Sequence, residues 1–99
     1  MKLNIQSVGF KATKELETFV DNKIQKLIKR NGRLVGVDAI LRVEKAGTIE
    51  NKVVEIILKV PGNDLFAKKN ANTFEEAVTL SVEALRRQQR KQLDKLRGK

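Results

Sequence analysis

Residues 35–70 read VGVDAILRVEKAGTIENKVVEIILKVPGNDLFAKKN, and the alternation within them decides the fold. Val35, Val37, Ala39, Leu41 and Val43 fall on every second position, with Asp38, Arg42 and Glu44 on the intervening ones. A strand points successive side chains to opposite faces, so this spacing marks a strand with one apolar and one polar side. Val54, Ile56, Leu58 and Val60 repeat the pattern, while Val53 and Ile57 add apolar groups on the reverse. Ala46-Gly47-Thr48 reads as the turn between the two runs, and Pro61-Gly62-Asn63-Asp64 as the turn that follows them. Proline presets one turn dihedral, and glycine admits backbone that other residues avoid. A shorter strand from Leu65 to about Asn70 completes the set. Lys68 and Lys69 within it suit an edge strand that must not pair with another chain.

On the N-terminal side, Leu3 and Ile5 alternate with Lys2, Asn4 and Gln6, and Val8 follows before Gly9 breaks the run. Thr13 suits a helix N-cap, because its hydroxyl can accept a bond from an otherwise unpaired backbone N–H. After it Leu16, Phe19, Val20, Ile24, Leu27 and Ile28 recur at three-and-four spacing, one apolar stripe on a helix that Asn31-Gly32 stops. On the C-terminal side, Thr73-Phe74-Glu75-Glu76 fits a capping box, with Thr73 and Glu76 exchanging bonds. Phe74, Ala77, Val78, Ser81, Val82, Leu85 and Leu96 then share one side of a long helix. The order is β-α-β-β-β-α, an α+β fold. A four-stranded sheet, antiparallel or mixed, buries one face under both helices. The chain reads as a single domain, 1–99, with no internal linker, repeat or low-complexity segment.

Composition excludes much chemistry. The 99 residues contain no histidine and no cysteine, which removes the usual acid–base and nucleophilic sites and any disulfide. The six glycines are scattered, as turn residues would be, and form no phosphate loop. Ser7 is a strand residue and Ser81 a small residue on a packing face. Glu75-Glu76 could be taken for a metal or acid–base pair, but acids in a first helical turn complement the helix dipole. No catalysis, cofactor, metal or small-molecule substrate is expected. The N-terminus MKLNIQSVGF lacks a signal peptide's apolar run, and no stretch reaches the roughly 20 apolar residues that span a bilayer. The expectation is a basic protein of the cytoplasm.

The positive charge is concentrated. Residues 86–99 hold Arg86, Arg87, Arg90, Lys91, Lys95, Arg97 and Lys99 against Asp94 alone, seven to one, so this end carries +6 of the formal +9. Like charges at i, i+4 repel on a helix, and Arg86/Arg90 and Arg87/Lys91/Lys95 are such sets. An anion relieves that repulsion, and nucleic acid is the commonest one. The first helix also ends basic, at Lys23, Lys26, Lys29 and Arg30, after Glu15, Glu17 and Asp21 at its start. Dipole complementation explains that gradient equally well. The chain has four aromatics, all phenylalanine. Phe19 and Phe74 belong to apolar stripes, and Phe10 and Phe66 have no assigned place. Recognition through phosphates and shape fits this composition better than reading by base stacking. A membrane partner is not expected, since the apolar side of the last helix lacks tryptophan and is needed by the sheet.

Several segments, in order, resemble the ribosome hibernation-promoting factor family, also called ribosome-associated inhibitors or sigma-54 modulation proteins. Leu3-Asn4-Ile5 is similar to the family's first strand. Phe19-Val20 and Lys23-Ile24-Gln25-Lys26-Leu27 are similar to its first helix, and Leu41-Arg42-Val43-Glu44-Lys45 to the end of its second strand. Phe74-Glu75-Glu76-Ala77-Val78, then Leu85-Arg86-Arg87-Gln88, Lys91 and Asp94-Lys95-Leu96, resemble its last helix. The likeness spans Met1 to about Leu96. It implies a fold related to double-stranded-RNA-binding domains, and binding in the decoding channel of the small ribosomal subunit. Translation would be inhibited and idle, hibernating ribosomes preserved during stationary phase and stress, by steric occupancy rather than catalysis. The rRNA-binding residues it implies are Lys23, Lys26, Arg87, Lys91 and Lys95, then Arg30, Arg42, Arg86 and Arg90. The implied partners are the small subunit and its rRNA, with a monomer expected away from the ribosome. Many relatives carry Asp and Tyr where this chain has Thr73 and Glu75, and long members have a further domain, so this chain resembles a short form. Two alternatives stay open: a general double-stranded RNA-binding or structural ribosomal protein, and a protein-interaction regulator of transcription.

Overall fold

The computed structural model describes residues 2–30, 34–44 and 51–97. Its elements are β1 (Lys2–Val8), α1 (Lys14–Arg30), β2 (Gly36–Val43), β3 (Lys52–Lys59), β4 (Leu65–Ala71) and α2 (Phe74–Arg97). The four strands lie side by side in chain order, with β1 parallel to β2 and the other two pairs antiparallel. The sheet is therefore mixed. A parallel pair cannot be joined by a tight turn, and α1 supplies the crossover between β1 and β2. The Asn31-Gly32 stop and the Ala46-Gly47-Thr48 turn fall outside the described residues.

The register explains why alternation was so clean. Val37, Ala39 and Leu41 stand opposite Leu58, Ile56 and Val54, and Ile56 stands opposite Ala67. All of these are buried on one face, in a single cluster with Leu16, Val20, Ile24 and Leu27 of α1 and Phe74, Ala77, Val78, Val82 and Leu85 of α2. Both helices thus share one layer. The opposite face of the sheet has no covering element among the described residues.

Both expected caps form. The Leu16 N–H donates to Thr13 Oγ1 at 3.1 Å, and the Glu76 N–H to Thr73 Oγ1 at 3.1 Å. Of the two bonds of a capping box, the described residues show this one. Gly62, in the turn after β3, has φ +97°, backbone that favours glycine.

Three readings shift. β2 begins at Gly36, and Val35 is 60% exposed. The Val35 N–H bonds the Lys59 carbonyl at 2.8 Å although Gly36 is the register partner of Lys59, so Val35 stands outside the regular pleat and Leu34 is buried instead. β4 runs one residue further than Asn70, and Ala71 is buried. Phe10 has a place after all: its ring stacks on Phe74, with centroids 4.6 Å apart and planes 12° apart.

Candidate nucleic-acid interface

The cations divide by layer. On the uncovered sheet face, Arg42, Lys59 and Lys68 have acidic partners, while the exposed Lys2 has none among the described residues. Arg42 donates to Glu55 at 2.7 Å and lies 3.4 Å from Glu44, while Lys68 reaches the same Glu55 oxygen at 4.0 Å. Lys59 pairs with Asp38 at 3.0 Å, and Asn4 donates to Asp38 at 3.1 Å. The hydrogen bond to Glu55 holds the Arg42 guanidinium above its ordinary range, and the bond from Lys59, then that from Asn4, holds the Asp38 carboxyl below its own. Arg42 therefore belongs to a cross-strand network on the face opposite the helices. Its pairing follows from register: Glu55 stands opposite Ile40, one diagonal step from Arg42.

In the helix layer the picture reverses. Lys26, Arg86, Arg87, Arg90 and Lys91 are exposed and Lys23 half-buried. Among the described residues none of these six takes part in an ion pair. Lys23 and Lys26 lie on one flank of α1, where the Lys23 ammonium sits 5.5 Å from the centre of the Phe19 ring. A cation over an aromatic face is attracted by the ring quadrupole, so the flexible stem is steered without its charge being neutralised. Arg30 continues the row at helical spacing, and Lys95 continues that of Arg87 and Lys91; both side chains fall outside the described residues.

Two glutamines orient α2, and sequence reasoning gave neither of them that role. Gln88 donates to the Phe66 carbonyl of β4 at 2.9 Å, and Gln89, 4% exposed, to the Leu27 carbonyl of α1 at 3.5 Å. One flank of α2 thus faces the β4 edge and the other faces α1. At about 100° per residue, Gln89, Arg86 and Arg90 lie roughly 40°, 100° and 140° from Leu85 in one rotational sense. Gln88, Lys91 and Arg87 lie roughly 60°, 120° and 160° in the other. The arginine pair Arg86/Arg90 therefore rises on the α1 side, and Arg87/Lys91 on the β4 side. The available signal was position: Gln89 falls four residues after Leu85, on the apolar stripe, where a polar residue needs a partner.

The length of α2 sets how far this surface extends. Its 24 residues span about 36 Å at 1.5 Å per residue, against about 26 Å for an eight-residue strand. The molecule is accordingly long and narrow, 48 × 24 × 18 Å. The basic end of α2 projects past the sheet. Among the described residues no cluster of acids suits a metal ion, and no helix is long and apolar enough to cross a membrane.

Residues 3–97 match the family model described as sigma 54 modulation protein / S30EA ribosomal protein. The chain belongs to that family. Among solved structures it is similar to a ribosomal subunit interface protein from Coxiella burnetii, at 19% identity and TM-score 0.78, with all of each chain covered. It is also similar to the Protein Y N-terminal domain of Thermus thermophilus, at 20% identity and TM-score 0.70, over 88% of this chain and 90% of that one. At such identities the likeness speaks for the fold, and it bears out the β-α-β-β-β-α order with a mixed sheet. A search of curated proteins found no match.

Proposed function

We propose that this member of the family is a ribosome-binding translation inhibitor of the cytoplasm. It occupies the decoding channel of the small subunit and stabilises idle, hibernating ribosomes under stress and in stationary phase. The observation that carries this reading is the sorting of charge: among the described residues the basic side chains Lys23, Lys26, Arg86, Arg87, Arg90 and Lys91 of the helix layer take part in no ion pair, whereas Arg42 and Lys59 of the opposite face are engaged by Glu55 and Asp38. Unpaired Lys and Arg on a rigid layer suit phosphate oxygens of folded rRNA, which they contact without reading sequence. Lys23, Lys26, Arg30, Arg86, Arg87, Arg90, Lys91 and Lys95 are the rRNA contacts of this proposal, and Arg42 is assigned to the sheet. The action is steric occupancy by a monomer, and the projecting end of α2 enters the channel.

Co-sedimentation tests it. Wild type is expected to pellet with small subunits at low salt, to be displaced by messenger and tRNA, and to lose most binding as Arg86→Glu/Arg90→Glu. Wild type left at the top of the gradient would overturn ribosome binding. Binding that messenger and tRNA leave untouched would overturn the channel. Equal affinity for naked duplex RNA would favour a general RNA-binding module.

A further inference from the structure

Phe66 is the one phenylalanine of the four that the fold leaves open. Phe74 is buried, Phe10 stacks on Phe74, and Phe19 lies half-buried beside Lys23. Phe66 is 48% exposed on the uncovered side of edge strand β4, where its register partner Ile57 forms a half-buried apolar floor. One cation stands on its own face, and the cationic flank of α2 borders the same strand edge from the helix layer. Lys68 is two residues along the same face, and Glu55, its only ion-pair partner among the described residues, lies 4.0 Å away and is already held by Arg42 at 2.7 Å. Gln88 ties α2 to the Phe66 carbonyl itself, which brings the Arg87/Lys91 flank to this edge.

We infer that Phe66 is a stacking site for one unpaired base of RNA, whose flanking phosphates lie on Lys68 and on Arg87 and Lys91. The inference rests on the reading of Arg87 and Lys91 as phosphate contacts and adds a second kind of contact to it. An aromatic face bordered by cations is how proteins hold single-stranded nucleic acid, because every base has a π face and every nucleotide a charge. A peptide adding as a strand is the competing occupant of a sheet edge. It would need the Phe66 carbonyl, which Gln88 already occupies. Charge and hydrogen bonding at this edge therefore both favour RNA over a protein strand.

The test measures affinity, by fluorescence anisotropy, for a short labelled oligoadenylate and for a duplex RNA of the same length. Phe66→Leu keeps an apolar residue on the strand, Phe66→Trp keeps a ring, and circular dichroism checks the fold of each. Phe66→Leu is expected to weaken oligoadenylate binding about ten-fold, with duplex binding and the salt slope unchanged, and Phe66→Trp to bind like wild type. Equal binding by Phe66→Leu and wild type overturns the stacking site, as does equal loss toward both RNAs. Cross-linking at Phe66 to a ribosomal protein instead of rRNA overturns it in favour of a protein contact. If wild type binds duplex RNA and ribosomes while the single-strand difference is missing, only this inference fails. If wild type binds none of them, the proposed function fails with it.

Discussion

Asp38 shows at the scale of one residue how the sheet is fastened on its uncovered side. It sits on β2 between β1 and β3, accepting from Asn4 on one side and Lys59 on the other, so one carboxylate links three strands. The Lys59 bond, then the Asn4 bond, holds its pKa below the ordinary carboxylate value. A carboxyl whose folded pKa lies below its unfolded one adds stability above the unfolded value and loses it as pH falls through the folded one. Asp38→Asn removes that dependence. Urea denaturation over a pH series should give a wild type more stable than the variant near neutrality. The two curves should converge as pH drops below about 4. Curves that stay parallel into acid would mean that the charge on Asp38 gains nothing from its neighbours. Arg42 works by the same logic across β2 and β3. Its place there could not be read from the chain, because Glu55 becomes its neighbour only once the strand register exists.

At the scale of elements, the last helix is capped at its start, and the proposed RNA contacts lie toward its end. Thr73 caps it, and Arg86 follows thirteen residues later, about 20 Å along the axis. Stability and binding should therefore separate. Thr73→Ala is expected to lower unfolding stability by about 1 kcal/mol, with Thr73→Ser close to wild type and ribosome binding unchanged for both. Denaturant titration with a parallel sedimentation assay reads both quantities, and an alanine variant as stable as wild type would show the cap to be idle. The same helix marks the reach of sequence reading. Its apolar stripe, its cap and its basic stretch follow from helical period and residue chemistry alone, as do the alternating strands and the edge lysines. The parallel pairing of β1 did not, since Leu3 and Ile5 alternate alike in either direction. Nor did the stacking of Phe10 on Phe74, which joins residues 64 apart in sequence. The aim of the two cationic rows depends on Gln88 and Gln89 reaching carbonyls on other elements, and no periodicity carries that information.

For the whole molecule, the proposed function makes charge act by position and not by total. A formal +9 attracts any polyanion at low salt, but only cations that touch phosphate release its counterions. Each such contact adds about 0.7–0.9 to the slope of log affinity against log salt. Arg86→Gln/Arg90→Gln should therefore lower that slope by roughly 1.4–1.8 in a sedimentation series over increasing potassium chloride. Arg42→Gln should leave the slope unchanged, because this arginine is engaged with Glu55 and Glu44 on the far side of the sheet. It should lower unfolding stability instead, leaving the partly buried Glu55 with Lys68 alone, 4.0 Å away. Charge removed singly and charge removed in pairs are compared by scaling each change in slope to the number of cations lost. A simple net-charge effect predicts one common value. The layered arrangement predicts a full contribution from each helix cation and none from Arg42, and a measurable slope change in Arg42→Gln would show that Arg42 itself meets the polyanion.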